Sequence, residues 1–153
     1  MTTRTRTWLA AAVMAVLPSL AAAKDAVVIE AVKVETKTSI TGSTKGNEYL
    51  RISFDTTVNE AAAPKTYIRV KVKATIDDKT KVADMTASSK LDDMEPGTTK
   101  AMSVPLFMTD GLGGSPSKCE LTFMVVKILG KSGPTVAEYC WTGGSKAKPG
   151  ACE

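Results

Sequence analysis

Two stretches of the chain alternate apolar and polar residues with a strict period of two. In "YLRISF" (49–54), Leu50, Ile52 and Phe54 fall on one side, and Tyr49, Arg51 and Ser53 on the other. In "YIRVKVKATI" (67–76), Ile68, Val70, Val72, Ala74 and Ile76 point one way, and Arg69, Lys71 and Lys73 the other. A helix would scatter these apolar residues around its circumference, whereas a strand sends successive side chains to opposite faces. Both stretches therefore read as half-buried β-strands.

Further strands follow from weaker versions of the same pattern. "AVVIEAVKVE" (26–35) is rich in β-branched residues but changes face midway, as a bulge or a switch of sheet would produce. "KVADMT" (81–86) reads as a short edge strand. "KAMSVPLFM" (100–108) alternates Met102, Val104, Leu106 and Met108, and its Pro105 lacks an N–H, which suits an edge. "CELTFMVVKIL" (119–129) is apolar on both faces in its middle, as a central strand would be, and "TVAEYCWT" (135–142) comes last. Between them lie turn residues: "DDKT" (77–80) as a hairpin, Pro96 and Gly97 as the inner pair of a type II turn, the loop "TDGLGGSPS", and "GKSGP" as a second hairpin. "NEAAAPK" (59–65) has room for one helical turn, and no stretch sustains a helical period.

About seven strands punctuated by turns predict an all-β fold, an antiparallel β-sandwich, with a small β-barrel as the alternative. In strand count and size, over roughly 26–142, the layout resembles an immunoglobulin-type sandwich. The resemblance is one of architecture: the first cysteine here is Cys119, and outside the first strand-free segment the tryptophan is Trp141 in the last strand. The inter-sheet cysteine pair and third-strand tryptophan of immunoglobulin domains are missing, so no function is implied.

The opening segment belongs to no strand. Arg4 and Arg6 precede an apolar run from Leu9 to Ala23, broken by Pro18, with Ala21 and Ala23 as small residues before Lys24. This is the pattern of a secretory signal cleaved after residue 23. The run is shorter than the roughly 20 residues that span a bilayer, and no later stretch is apolar enough to cross one. The expected layout is a signal over 1–23, a sandwich domain over 24–142 and a tail over 143–153, placed in the periplasm or outside the cell. Losing the two arginines lowers the net charge from +4 to +2. That mild, mixed charge argues against nucleic acid as a partner.

An exported chain can form disulfides, and three cysteines leave one thiol over. A hairpin turning at Ser132 would set Phe123 opposite Trp141, Met124 opposite Cys140 and Cys119 opposite Ser145. Cys119 and Cys140 would then be too far apart to bond. A tail turning back at Pro149 and Gly150 would carry Cys152 to Cys119. The expected bridge is Cys119–Cys152, with Cys140–Cys152 as the alternative. In the first case Cys140 would be a buried, unreactive thiol beside Met124, and the bridge would serve to pin the tail.

Candidate chemistry is sparse. The sequence holds no histidine, which removes Ser-His-Asp, Cys-His and histidine-based metal arrangements. Asp77, Asp78, Asp92, Asp93 and Glu95 sit in loops, and if two such loops met at one end of a sandwich they would suit calcium. Acids are also ordinary in turns, where they cap the backbone. Arg69, Lys71 and Lys73 form an outward basic stripe that would suit an anionic partner, although lysine on a sheet face also keeps the sheet soluble. The reading is a non-catalytic binding or structural module without a cofactor, meeting a protein or an envelope or extracellular polymer. A calcium-dependent module is the alternative, and a hydrolase with a carboxylate pair comes third. The edges at "KVADMT" and "KAMSVPLFM" would suit a strand-addition homodimer.

Overall fold

The computed structural model describes residues 26–127 and 132–153. The expected signal lies outside them. Among the described residues there are eight strands: β1 (Val27–Thr38), β2 (Glu48–Val58), β3 (Tyr67–Ile76), β4 (Lys79–Lys90), β5 (Thr98–Leu106), β6 (Lys118–Val126), β7 (Thr135–Trp141) and the two-residue β8 (Lys148–Pro149). They make two antiparallel sheets, one ordered β1-β2-β5 and the other β4-β3-β6-β7-β8. This is a β-sandwich and not a closed barrel. The fourth strand stays beside the third, whereas in a constant-type immunoglobulin domain it joins the sheet of the first, second and fifth.

The predicted inward faces are the core. Leu50, Ile52 and Phe54 of β2 meet Ile68, Val70, Val72, Ala74 and Ile76 of β3 across the sandwich, all buried. Met102, Val104, Leu106 and Met108 fill the side under β5. The sheets are tied through their centre by aromatic rings: Phe54 packs edge-on to Phe123 at 5.0 Å, and Phe123 edge-on to Tyr139 at 5.8 Å. Edge-to-face contact sets the positive rim of one ring on the negative face of the next. The Tyr139 hydroxyl crosses to the other sheet and donates to the Ile29 carbonyl at 2.6 Å.

The face change foreseen in the first strand is a bulge. The β1–β2 register slips between Glu30 and Lys33, and Ala31 sits at φ 52°. Buried positions pass from Val27 and Ile29 to Val32 and Val34. Asp77 and Asp78 form the two-residue β3–β4 turn with φ of 48° and 60°, the doubly left-handed geometry that matches strand twist. The Glu95–Thr98 turn closes with Thr98 N–H donating to the Glu95 carbonyl at 3.1 Å, and Gly97 takes the positive φ of 84° that a type II turn requires.

The last hairpin differs from the sequence-based expectation. Cys119 faces Trp141, Leu121 faces Tyr139 and Phe123 faces Ala137, four residues away from the expected pairing. The pairing does not centre on Ser132. The Val125 N–H donates to the Pro134 carbonyl, and the register breaks again between Phe123 and Met124. Up to Phe123 the slip is an even number, so Cys119–Phe123 and Ala137–Trp141 keep their relative faces and change only in height; past the break, Val126 and Val136 turn into the core.

An antiparallel sandwich exposes sheet edges, and unpaired edges invite foreign strands. On β1 the edge is bent by the bulge at Ala31. On β5, Pro105 offers no N–H to an incoming strand. On β4, Lys81 lies opposite the buried Ala74 and turns inward, donating to the Gly111 and Leu112 carbonyls at 2.8 and 3.1 Å. The same strand slips register against β3 near Tyr67. β4 is also longer than the short edge expected, at 12 residues.

Candidate functional site

The cysteines pair as Cys140–Cys152, with Cα atoms 5.0 Å apart, and not as Cys119–Cys152. The slipped hairpin is the reason. It sets Cys140, which points to the outer face of its sheet, level with Glu120, where the returning tail passes. Cys119 faces the core and is fully buried. Burial pushes its thiol up to about 12, since the apolar interior cannot solvate a thiolate. So the buried, inert thiol expected at Cys140 is found at Cys119.

The acidic residues do not gather. Asp77 and Asp78 lie before β4 and Asp92, Asp93 and Glu95 after it. A strand of 12 residues separates them by about 40 Å, at opposite ends of the sandwich. Among the described residues no three Cys, Asp or Glu side chains form a group that would hold a metal ion. The calcium reading needed both loops at one end, and the fold separates them. Asp92 has a local task instead: its carboxylate accepts the Thr66 N–H at 3.2 Å. The backbone at Lys65 lowers its pKa most, with further backbone contributions from Asp92 and Thr66 and the charge of Lys90.

Arg69, Lys71 and Lys73 do line up on the outer face of β3, but acids flank them. Arg69 pairs with Asp84 on β4, and Lys73 lies 3.5 Å from Glu120 on β6. Glu120 also takes Lys118 at 3.8 Å. Lys71 faces Asp84 across the strand pair. The stripe is thus one column of a mixed-charge ladder, which dilutes its pull on an external anion. Such exposed pairs contribute about 1 kcal/mol or less each.

A different feature stands out on the three-stranded sheet. Tyr49 at the start of β2 and Phe107 just past β5 stack on its outer face, ring centroids 4.6 Å apart and 25° from parallel. Phe107 is 39% exposed. Arg51 and Pro105 face each other one step along the same side. The strand pattern does place Tyr49 and Arg51 outward. That Phe107 joins them depends on the β2–β5 register, which no local signal sets. A partly exposed aromatic pair beside an arginine has the composition of a protein contact surface, where rigid rings bury much area at small entropy cost.

Among the described residues no helix is long and apolar enough to cross a membrane. Comparison with known proteins finds no matching family model, no matching curated protein and no matching solved structure.

Proposed function

We propose that the chain is an exported, non-catalytic binding module of the periplasm or extracellular space, and that its contact surface is the aromatic shelf of Tyr49 and Phe107. The observation that carries this reading is the stacked, partly exposed pair on a sheet face that also presents Arg51, Ser53 and Asp55. The Cys140–Cys152 bridge supports an oxidising compartment, where disulfides persist, in keeping with the signal-like opening of the chain. The lack of histidine and the scattering of the acids support a role without catalysis. A partner of protein or polymer type fits the shelf, because flat aromatic faces accept both backbone and sugar surfaces.

The test places a photo-crosslinking residue at position 107 or, for comparison, at position 71, in chain produced by its native cell. Adducts at 107 from envelope or culture fluid, absent at 71, are the expected result. Adducts at 71 alone would move the function to the basic stripe, and none at 107 would sink the shelf reading. N-terminal sequencing of the recovered chain should begin at Lys24; a folded intracellular chain that keeps residues 1–23 would overturn export.

A further inference from the structure

Three of the four sheet edges carry obstacles set into the strand itself: the bulge of β1, the proline of β5 and the inward lysine of β4. β7 has its own irregularity near Val136, where it meets β6, but from Ala137 to Trp141 its far edge has none. That edge is covered by the chain's own C-terminal segment. Residues 142–153 leave β7 through Gly143 and Gly144, at φ 117° and 80°, values that glycine adopts freely. Ala147 then drops into the seam between the sheets, 9% exposed, and donates its N–H to the Val32 carbonyl of β1 at 2.9 Å. The chain returns along β7 as β8, with Gly150 N–H donating to the Glu138 carbonyl at 2.9 Å. It then reaches Cys152, bonded to Cys140.

Apart from the bridge, the segment is held by the Ala147 seat, the backbone hydrogen bonds at Ala147 and Gly150, the short pairing of Lys148–Pro149 with β7 and the Trp141 indole. Of its 12 residues only Ala147 is buried and Cys152 half-buried; the rest are exposed. The bridge lies on the outer face of the sheet, with both cysteines partly accessible. Cys119 cannot intercept it, because its thiol faces the core on the other side of the sheet.

We propose that residues 142–153 are a redox-released strap: reduction of Cys140–Cys152 by a dithiol lifts it from β7, and the freed edge accepts the strap of a second copy of this chain. In the first step the dithiol closes to its own disulfide, and its two electrons and two protons pass to Cys140 and Cys152. Reoxidation by an oxidised dithiol reverses the exchange and joins Cys140 of one copy to Cys152 of the other. The occupant follows from what already sits there. Only another copy brings a segment that pairs with β7, seats an alanine in the seam and delivers a cysteine beside Cys140. Exchange of identical elements between copies needs no new contact, only a hinge, and Gly143–Gly144 supplies one. This holds whatever the aromatic shelf contacts.

The test mixes two variants, Cys140→Ser and Cys152→Ser, neither of which can close the bridge on itself. Oxidised glutathione should then give a covalent pair whose peptide map joins Cys140 of one chain to Cys152 of the other. Docking of the strap raises the local thiol concentration, so this linkage should exceed random Cys152–Cys152 pairs by about tenfold or more. Random pairs alone, or no pairs, would overturn the exchange. A second arm needs no variant: dithiothreitol added to the wild-type chain should speed hydrogen exchange at Ala147 and Gly150 while β3 amides stay protected. It should also shift Trp141 emission, since the Trp141 indole N–H donates to the Gly144 carbonyl at 2.8 Å within the strap. Unchanged exchange and emission on reduction would mean that the strap stays seated without its bridge, and the proposal would fail.

Discussion

At the scale of single residues, two polar groups do work that their sequence context hardly advertises. Asp92 is exposed, yet its carboxylate caps the Thr66 backbone, and its pKa lies below the ordinary carboxylate value, chiefly through the backbone at Lys65. A lowered folded value means that the stabilisation is complete above about pH 4, the unfolded value. It is lost as pH falls through the lower, folded one. Asp92→Ala should therefore melt below the wild type at pH 7, and the gap should close as thermal scans move below pH 4. Tyr139 is the opposite case. Burial, and then the charge of Glu30, raise its pKa, so the neutral hydroxyl is favoured in the fold. Its stabilisation is present below about pH 10 and lost as pH rises through the folded value. Tyr139→Phe removes the bond to the Ile29 carbonyl and should cost about 1–2 kcal/mol in urea unfolding at neutral pH.

At the scale of elements, what was legible in the sequence was face, and what was hidden was height. Alternation placed Ile68, Val70, Val72, Ala74 and Ile76 inward correctly, because period two is a local property of the chain. The last hairpin slid by four residues, and a further one-residue break beside Phe123 turned Val126 and Val136 inward, because pairing between two strands is not fixed by the turn residues read from the sequence. The disulfide partner changed with that slide. The stack of Tyr49 on Phe107 was hidden for a related reason, since it needs a register between two strands that are not neighbours in the chain, with β3 and β4 between them. The β3–β4 turn was legible from "DDKT", but its residues are not the best for the geometry. Asp78 holds φ at 60°, where a side chain is strained and glycine is not. Asp78→Gly should stabilise the hairpin by about 0.5–1 kcal/mol, read as a raised melting temperature with the fold unchanged.

At the scale of the whole molecule, the acidic loops lie at opposite ends of β4, so calcium has no shared site to fill. Millimolar calcium should leave the melting temperature unchanged, and a rise abolished by Asp92→Asn with Asp93→Asn would restore the calcium reading. The bulge in β1 bears on the molecule as a unit in another way. Without Ala31 the run "VVIE-VKVE" alternates perfectly, with Val27, Ile29, Val32 and Val34 in unbroken phase. The core thus has no use for that residue; it is a surplus letter in an otherwise regular word. Deleting it should leave a folded protein whose first strand runs straight. Such a molecule would trade solitude for company, stacking side by side through the straightened border as its concentration rises.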